Sequence, residues 1–421
     1  MNSEQLAYVL EDQQKKLEED KQICIGRELA GKAIGLLSLK MPVIITGVRR
    51  CGKSFLMYLV KNKLKLKSRQ FLYVDFNDER MSEFRVEDFQ GIIDFMSSYG
   101  YEKGCLLLID EIQEVDKWEK WIDRIKGSYQ IIITGSNSKL LSKEISTLLT
   151  GRSINIGLMP FSFAEFLDAK GISKEGWKSG LEERAKLKKA FSDFLETGGF
   201  PKRVITGNSL VLSELFENIL YRDVIGKLGK KMEKPVKEAA SFLLANAGKD
   251  ISIRTFSEAI GVKNLLSAKQ ILDAFEKAFL FFFLSKFDYS VRKQIQNPKK
   301  AYCIDNGFLA TVGFRFSEDK GRMLENFAAI ELKRRGKETY YSKEKGECDF
   351  IIKEGIKVTG AVQVCYELNN ENKEREANGL IEAMNKFGLK EGMILTYDDE
   401  DTIQKEGKKI SVIPVWKWAL Q

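Results

Sequence analysis

The chain has 421 residues, with 68 lysines and arginines against 60 aspartates and glutamates, so its formal net charge is +8. This length predicts two or three domains, each large enough to bury a hydrophobic core of its own. Hydrophobic residues at 43% and charged residues at 30% are typical of folded globular proteins, and they argue against a collagen-like, disordered or membrane protein.

Histidine is absent from the sequence. Its absence excludes Ser-His-Asp and Cys-His catalysis, histidine-rich zinc sites, and nucleases or phosphotransferases that depend on an imidazole. Any chemistry must therefore use carboxylates, Lys, Arg, hydroxyl groups and a hard metal ion.

Neither the apolar segments nor the cysteines indicate export. The longest strongly apolar run, residues 278–284, is too short to span a bilayer, and the N-terminal residues lack the basic and apolar regions of a signal peptide. The six cysteines are scattered and form no C-x-x-C pair, which argues against a disulfide framework and a zinc ribbon. We therefore expect a cytoplasmic protein without membrane contact.

A phosphate-binding loop is the first motif along the chain. Residues 47–54 match G-x-x-x-x-G-K-[ST], and they stand between a short β-branched run and an apolar helical pattern. In this order of strand, loop and helix, backbone N–H groups surround phosphate oxygens, Lys53 reaches the β and γ phosphates, and Ser54 ligates Mg²⁺. The predicted cofactor-binding residues are Gly47, Arg49, Arg50, Cys51, Gly52, Lys53, Ser54 and Phe55.

A buried strand that ends in two carboxylates follows. Residues 105–109 are an unbroken apolar run, and Asp110 and Glu111 come at its C-terminal end. Asp110 would hold Mg²⁺ directly or through water, and Glu111 would polarise the attacking water. Further strands are predicted at 71–76 and 130–137, and their alternation with helical segments indicates a parallel sheet with right-handed crossovers.

These motifs resemble those of AAA-type ATPases, and more closely those of the archaeal-type ATPase group that is also found in many bacteria and lies near the STAND and replication-initiator ATPases. The resemblance extends over essentially the whole chain. The segments that carry it are Arg27-Glu28-Leu29, GVRRCGKS (47–54), LLLIDEIQ (106–113), Trp118 and Trp121, TGSNSKLL (134–141), Gly151-Arg152, PFSFAEF (160–166), Gly198-Gly199-Phe200-Pro201 and Leu220-Tyr221-Arg222-Asp223.

The resemblance implies further catalytic roles. Asn137, or Ser136 beside it, occupies the sensor position after the fourth strand, where it would hold the lytic water or detect the γ phosphate. Arg152 occupies the place of an arginine that enters the neighbouring subunit's site in related ATPases, where such a residue accelerates hydrolysis about 10³- to 10⁵-fold. The alternative for Arg152 is an intramolecular salt bridge. Arg49 and Arg50 either touch phosphate or clamp the loop to acidic neighbours.

The middle of the chain is predicted to be helical. A lid and linker follow Pro201 and end at Pro235. Helices predicted at 236–247, 251–262 and 265–278 then precede an aromatic run and a basic hairpin. This order of elements predicts a winged helix.

The predicted winged helix coincides with a concentration of positive charge. Residues 226–300 contain fifteen lysines and arginines and seven acidic residues, an excess of eight that equals the net charge of the whole chain. Such a block is either an electrostatic footprint for nucleic acid or a well-solvated lysine-rich surface, and winged helices also bind proteins. The predicted DNA phosphate contacts are Lys263, Lys269, Arg292, Lys293, Lys299 and Lys300.

The last hundred residues resemble PD-(D/E)XK nucleases. The metal site of those enzymes combines a helix carboxylate, an acidic residue entering a β-hairpin, and a Gln or Glu two residues before a lysine. Glu325, Asp349 and Gln363 match the first three positions, but Cys365 stands where the lysine is expected. Without the lysine the site lacks its charge stabiliser at the scissile phosphate, and an amide is a weaker Mg²⁺ ligand than a carboxylate. We therefore expect a degenerate nuclease-like site kept for binding.

The sequence as a whole predicts a multidomain α/β ATPase. Its fold class is a P-loop NTPase (AAA-type) parallel sheet in residues 1–200, followed by a helical lid (201–235), a winged helix (236–312) and a nuclease-like α/β domain (313–421). ATP and Mg²⁺ are the expected cofactors, and double-stranded DNA and further copies of the chain are the expected partners. Two alternatives stay open: an ATP-gated DNA nuclease, against which Cys365 argues, and a slow ATP-dependent signalling switch that binds protein partners.

Overall fold

The protein consists of two compact units, Met1–Met159 and Pro160–Gln421. The computed structural model describes residues 1–19, 25–135, 153–178, 180–313 and 320–421. The first unit ends before the limit at residue 200 that was predicted for the ATPase core. Residues 160–200 make their contacts within the second unit instead.

The first unit contains alternating helices and strands. Its helices are α1 (Ser3–Glu19), α2 (Glu28–Leu37), α3 (Lys53–Lys63), α4 (Phe89–Ser98) and α5 (Trp118–Ile125). Its strands are β1 (Val43–Thr46), β2 (Phe71–Asp75), β3 (Leu106–Asp110), β4 (Gln130–Gly135) and β5 (Ile154–Gly157). Strands β1 to β4 lie where the apolar runs predicted them.

The strands of the first unit form one parallel sheet in the order β2-β3-β4-β1-β5. β1 and β3 are buried along their whole length, as expected for strands that are covered on both faces. Because all strands run in the same direction, the C-terminal ends of β1, β3 and β4 meet at one edge. This edge carries the phosphate-binding loop, the acidic pair and the end of β4.

Helix α1 covers the outer edge of this sheet at β2. Gln13 accepts a hydrogen bond from the Asp75 backbone N–H and donates one to the Asp75 carbonyl oxygen, each 3.0 Å long. Gln14 accepts a hydrogen bond from the Tyr73 N–H at 3.1 Å. Side chains of a helix thus pair the polar backbone groups that an edge strand would otherwise expose. No sequence motif predicted this helix.

The second unit begins with helices and ends with a mixed sheet. Its helices are α6 (Phe163–Lys170), α7 (Leu181–Thr197), α8 (Pro201–Thr206), α9 (Leu210–Asn218), α10 (Gly226–Leu228), α11 (Glu233–Ala245), α12 (Ile253–Ala259), α13 (Leu265–Lys277), α14 (Val291–Gln296), α15 (Asn306–Thr311), α16 (Lys320–Arg334), α17 (Lys373–Phe387) and α18 (Val415–Ala419). A π-helical segment, Ile219–Ile225, joins α9 to α10. Its strands are β6 (Asp250–Ile251), β7 (Phe281–Ser285), β8 (Lys299–Cys303), β9 (Glu338–Lys343), β10 (Glu347–Glu354), β11 (Lys357–Val364), β12 (Glu391–Thr396), β13 (Asp401–Lys405) and β14 (Lys408–Pro414). Among the described residues of both units, no helix combines the length and the apolar composition needed to cross a membrane.

Strands β6, β7 and β8 form a small antiparallel sheet in the order β6-β8-β7. Helices α11, α12 and α13 precede β7, close to the limits predicted for them. Gly261, with φ of +64°, follows α12 and allows the chain to turn away from the helix. The Asn264 side chain caps α13 by accepting a hydrogen bond from the Leu266 N–H at 2.8 Å.

The connection between β7 and β8 differs from the predicted hairpin. Residues 292–302 were expected to form a basic β-hairpin, but the chain forms α14 before it enters β8. The segment Val291–Gln296 contains no buried residue, so no buried face imposes the period of two that a strand requires. The hairpin prediction is therefore wrong, although the two strands themselves are antiparallel neighbours.

The C-terminal part of the second unit is a six-stranded sheet in the order β13-β14-β12-β11-β10-β9. β11, β12 and β14 run parallel to one another, and the other pairings are antiparallel. Helix α17 packs on this sheet through a buried cluster that includes Leu380 and Met384. Glu325 lies on α16, Asp349 on β10 and Gln363 on β11, which are the helix and hairpin positions expected from the sequence.

A pair of glycines between α7 and α8 explains one of the sequence motifs. Gly198 has φ of +73°, and a Cβ atom there would lie 1.8 Å from Oδ1 of Asp305, while a Cβ on Gly199 would lie 2.3 Å from the Phe161 carbonyl oxygen. The Gly199 N–H donates to Asp305 Oδ2, and the Gly199 carbonyl accepts from the Phe161 N–H, both at 2.7 Å. Only glycine fits this turn, which ties Phe161 to the rest of the second unit.

Candidate nucleotide site

The phosphate-binding loop runs from Gly47 to Gly52 between β1 and α3. A Cβ atom on Gly47 would lie 2.1 Å from the Leu158 carbonyl oxygen, so a side chain has no space there. Gly52 has φ of +101° and Arg50 has φ of +62°, which turn the chain into α3. Gly47 therefore lies where a side chain would clash, and Gly52 lies where the backbone has a positive φ.

The ammonium group of Lys53 lies inside this loop. The side chain is 5% exposed, and its Nζ donates to the carbonyl oxygens of Gly47 at 3.2 Å and Val48 at 3.3 Å. The same atom lies 3.6 Å from Oε1 of Glu111. The structure therefore places the loop lysine directly beside the acidic pair at the end of β3.

Asp110 is buried at the centre of the site, with 2% of its surface exposed. Its carboxylate accepts hydrogen bonds from the hydroxyl groups of Ser54 and Thr134, and from the Tyr73 hydroxyl at 3.0 Å. Burial, together with the neighbouring Glu111 carboxylate, raises the pKa of Asp110. Three hydroxyl donors thus fix the orientation of a carboxylate that is far from bulk water.

Glu111 has an unusual backbone conformation. Its φ of +50° is in the left-handed region, which costs a non-glycine residue about 1–3 kcal/mol and is typical of functional sites. The Glu111 N–H donates to the Thr134 hydroxyl at 3.2 Å, and the Gln113 amide donates to its carboxylate. These contacts hold the Glu111 side chain near Lys53.

Thr134 begins the TGSNSKLL segment, but it was not among the predicted site residues. It lies near the end of β4, between β1 and β3 in the sheet, and its hydroxyl contacts both Asp110 and the Glu111 backbone. One feature of the sequence could have indicated it: Thr134 is a hydroxyl residue directly after the apolar run of β4. Its position as a neighbour of β3 could be recognised only once the strand order was known.

Arg27 is a second residue whose role the sequence did not reveal. Its side chain is 3% exposed, and it donates to the Cys51 carbonyl oxygen at 2.9 Å and to the Met159 carbonyl oxygen at 2.6 Å. The Cys51 thiol donates to the Leu158 carbonyl oxygen at 3.4 Å, and burial raises the pKa of this thiol. Arg27 and Cys51 therefore attach the phosphate-binding loop to the chain that follows β5.

The remaining predicted nucleotide residues divide into two groups. Arg49 is half-buried, Arg50 is exposed, and the ring of Phe55 stacks on Tyr58 with 5.9 Å between the centroids. The sensor candidates Ser136 and Asn137 and the arginine candidate Arg152 lie outside the described residues.

The residues at this edge fit a magnesium ion. Mg²⁺ prefers hard oxygen ligands, and the Ser54 hydroxyl and the Asp110 carboxylate are close enough to form a hydrogen bond with each other. A single ion could therefore be reached by both groups. The Lys53 ammonium and the Glu111 carboxylate pair with each other beside this position. The Ser54 hydroxyl and the Asp110 carboxylate are therefore the expected Mg²⁺ ligands.

Comparisons with known proteins identify the domain that contains these residues. The sequence model of an AAA domain matches residues 39–167, and the model of a domain of unknown function matches residues 188–319. An uncharacterized protein of Methanocaldococcus jannaschii is 34% identical over 407 residues, which cover 92% of this chain and 90% of that protein. An uncharacterized protein of Haemophilus influenzae is 31% identical over 90% of this chain and 94% of its own length.

The chain belongs to the same family as these two proteins, and its first unit contains an AAA domain with a P-loop NTPase fold. Some solved structures align with part of this chain. The Walker-type ATPase of Pyrococcus abyssi aligns with a TM-score of 0.45 and 14% identity, covering 69% of this chain and 96% of its own. The AMPPCP-bound DnaA of Aquifex aeolicus aligns with a TM-score of 0.31 and 21% identity, and the alignment covers 60% of this chain and 82% of that chain. The family assignment rests on the relatives that match over most of their length.

The basic residues predicted to contact DNA are not equivalent in this protein. Five of them are exposed on the part of the second unit formed by α11 to β8, and they are Lys263, Lys269, Arg292, Lys293 and Lys299. Lys300 is only 1% exposed. Neighbouring residues of a strand point to opposite faces of the sheet, so Lys300 turns inward where Lys299 turns outward. The assignment of Lys300 as a DNA phosphate contact is therefore wrong.

Lys300 instead lies among three acidic side chains, which we call the carboxylate centre (Glu325, Glu347 and Asp349). Its Nζ lies 2.7 Å from Glu347 Oε1, 2.9 Å from Asp349 Oδ1 and 3.0 Å from Glu325 Oε1. Burial acts to lower the pKa of Lys300, but the attraction of the carboxylates outweighs it and holds the pKa well above its usual value. Burial and the nearby Asp349 raise the pKa of Glu325 to about 7.

The third residue of the predicted nuclease-like site, Gln363, borders the carboxylate centre. Its side-chain oxygen accepts from the Asp349 N–H at 3.2 Å, and its amide nitrogen donates to Glu376 Oε2 at 2.8 Å. The structure thus brings Glu325 and Asp349 together at the Lys300 amine, and Gln363 contacts Asp349. The residues do not fit a metal ion, however, because the Lys300 ammonium and backbone N–H groups already use the oxygens that would bind it.

Proposed function

We propose that the protein is a magnesium-dependent ATPase that couples its nucleotide state to DNA binding by the second unit. The observation that carries the ATPase assignment is the meeting of Lys53, Asp110 and Glu111 at one edge of a parallel sheet. In this arrangement the charge that binds the terminal phosphates, the metal ligand and the base for the attacking water lie beside one another.

Each residue has a separate task in the proposed reaction. Lys53 releases the loop carbonyls and donates to the β and γ phosphates, while the loop N–H groups and the α3 N-terminus hold phosphate oxygens. Ser54 and Asp110 would hold Mg²⁺, which neutralises charge on the β and γ phosphates. Glu111 accepts a proton from the attacking water. Thr134 keeps both acidic residues in position through its hydroxyl group.

DNA binding is proposed for the part of the second unit formed by α11 to β8. Three helices followed by an antiparallel sheet in the order β6-β8-β7 support its assignment as a winged helix. The exposed side chain of Lys263 precedes α13 and that of Lys269 lies on it, while Arg292 and Lys293 lie on α14 and Lys299 is the first residue of β8. Positive charge at α13 and from α14 to the start of β8 is the pattern expected for phosphate contacts on a duplex.

Charge reversal tests this assignment. The triple substitution of Arg292, Lys293 and Lys299 to Glu should weaken binding to every duplex sequence, because phosphate contacts carry no base information. It should also reduce the slope of log K against log salt by about 3, since each phosphate contact contributes roughly 0.9. The measurement is fluorescence anisotropy with a labelled duplex at several salt concentrations.

The matched control changes the same total charge elsewhere in the second unit. Lys357 and Lys409 are exposed on the six-stranded sheet, Lys390 is exposed directly before β12, and the substitution of all three to Glu should not change the salt slope. Equal slopes for the parent and the Arg292, Lys293 and Lys299 variant would favour the signalling-switch alternative, in which the unit binds protein.

Arg152 is proposed to complete the active site of a neighbouring copy of the chain. Hydrolysis per subunit should then rise with protein concentration, and Arg152→Ala should be inactive by itself. Mixing it with Lys53→Ala should restore part of the activity, because an intact site can then face an intact arginine. The measurement is phosphate release from the mixture at concentrations where the parent is active. A mixture that stays as inactive as its components, although all assemble normally, would make Arg152 an intramolecular structural residue.

A further inference from the structure

The carboxylate centre is closed by a lysine that comes from a different part of the chain. Lys300 lies on β8, whereas Glu325 lies on α16, and Glu347 and Asp349 lie on β10. An ammonium group has three N–H donors, and the three distances of 2.7, 2.9 and 3.0 Å give it one carboxylate oxygen for each. The amine therefore lies at the point that all three acidic side chains face.

The oxygens of the centre have further protein donors. Asp349 Oδ2 accepts from the Val364 N–H at 3.0 Å, and Glu325 Oε1 also accepts from the Tyr302 hydroxyl at 2.7 Å. Gln363 directs its oxygen to a backbone N–H and is therefore not available as a metal ligand. Among the described residues, no group of three or more acidic, cysteine or histidine side chains has an arrangement that could hold a metal ion.

The backbone around the centre makes space for this close approach. Gly248 has φ of +81°, and a Cβ atom there would lie 2.9 Å from the Glu325 carboxylate. Its N–H donates to the carbonyl oxygen of Ala301, the residue that follows Lys300 in β8. Lys300 itself is fixed by pairing with Asp250 and Leu284 in the neighbouring strands. The backbone of Lys300 is thus fixed by strand pairing on both sides, and this pairing directs its side chain into the centre.

From this geometry we infer that Lys300 is the permanent cation of the carboxylate centre and takes the place of a divalent metal ion. A divalent ion would need carboxylate oxygens at about 2.0–2.6 Å from a single point, and that point is occupied by Nζ. The centre is consequently metal-independent and does not cleave nucleic acid, and it binds the β6-β8-β7 sheet to the six-stranded sheet. Removing the amine should create a metal site that the parent lacks.

The test is Mn²⁺ binding to the nucleotide-free, full-length protein, followed by electron paramagnetic resonance and by the melting temperature. Lys300→Met keeps most of the side-chain volume but removes the charge. It should bind one more Mn²⁺ than the parent, melt on the order of 10 °C lower in EDTA because buried carboxylates lose their partner, and recover on addition of Mn²⁺. Adding Asp349→Asn to this variant should abolish the extra site, and Lys300→Arg should gain none.

Two results would overturn the inference. One is a parent protein that loses a bound Mn²⁺ upon Asp349→Asn, since the centre would then hold metal with the lysine in place. The other is a folded Lys300→Met variant that gains no Mn²⁺. If Lys300→Met does not fold, the combination Lys300→Met, Glu325→Gln and Glu347→Gln decides the question. It should fold without metal if the amine acts as the cation of the centre, because neutral amides need no counter-charge, and its failure to fold would overturn the inference.

Discussion

Glu111→Gln should leave ATP binding intact and slow hydrolysis about 10²- to 10⁴-fold, the range for loss of a general base. Glutamine keeps the size of the side chain and can still contact Gln113, but it cannot accept the proton of the attacking water. The measurements are the dissociation constant of ATP and the single-turnover rate of phosphate release. Equal turnover by this variant and the parent would remove Glu111 as the base.

Lys53→Ala should instead weaken the binding of ATP itself. Removal of the ammonium group deletes charged hydrogen bonds to the terminal phosphates, each worth about 1.5–3 kcal/mol, so ATP affinity should fall by roughly 10-fold or more. Two exposed neighbours are matched controls: Glu114→Gln in the turn after Glu111, and Lys63→Ala at the end of α3. Both controls should bind and hydrolyse ATP as the parent does. Tight ATP binding by Lys53→Ala would contradict the assignment of the loop lysine.

Asp305→Ala should strongly destabilise the second unit. The Asp305 carboxylate is 4% exposed and accepts from the Gly199 N–H at 2.7 Å and the Gly307 N–H at 2.8 Å. Alanine leaves both buried N–H groups without an acceptor, at a cost of about 1–3 kcal/mol each. Urea unfolding should therefore show a free energy lower by about 2–6 kcal/mol. Asp273→Asn, at an exposed position of α13, is the control and should change stability by less than about 0.5 kcal/mol.

The pH dependence of stability provides a second readout for Asp305. Burial raises its pKa to about 7, although the two backbone N–H donors act to lower it. In the unfolded chain the pKa is near 4, so the folded state binds more protons between about pH 4 and pH 7. The Asp305 contribution to stability should thus decrease as pH rises through this window. Asp305→Asn cannot titrate, and the parent curve minus the Asn curve should show the decrease. A difference that is flat with pH would mean that Asp305 stays ionised in the folded protein.

The two units also differ in how their key polar groups are stabilised. In the nucleotide site, Asp110 and Glu111 are held by Thr134 and the neighbouring Lys53, and the chain keeps oxygens that can still bind a metal ion. In the carboxylate centre, Lys300 uses the oxygens itself. The first arrangement allows a ligand to displace the lysine, whereas the second places the lysine where a ligand would bind.

Local sequence was sufficient to predict the parallel sheet and the chemistry at its edge. Apolar runs located β1, β3 and β4, and the loop at 47–54 with its glycines predicted where Lys53 would lie. These predictions succeeded because strand burial, glycine conformations and helix starts depend on residues that are near one another in the chain. For the same reason the limits of α12 and α13 were close to those observed.

The role of Lys300 could not be predicted in this way, because it depends on contacts across 25 to 49 residues of chain. In sequence it is one more lysine in a basic block, beside the exposed Lys299. The pleat of β8 turns it inward, and the packing of α16 and β10 around β8 then brings Glu325 and Asp349 to its amine. Arg27 and Thr134 acquire their roles through similar long-range contacts with Cys51 and Asp110. Periodicity predicts which face of an element is buried, but the partners on that face are chosen by strand order and by the packing of one element on another.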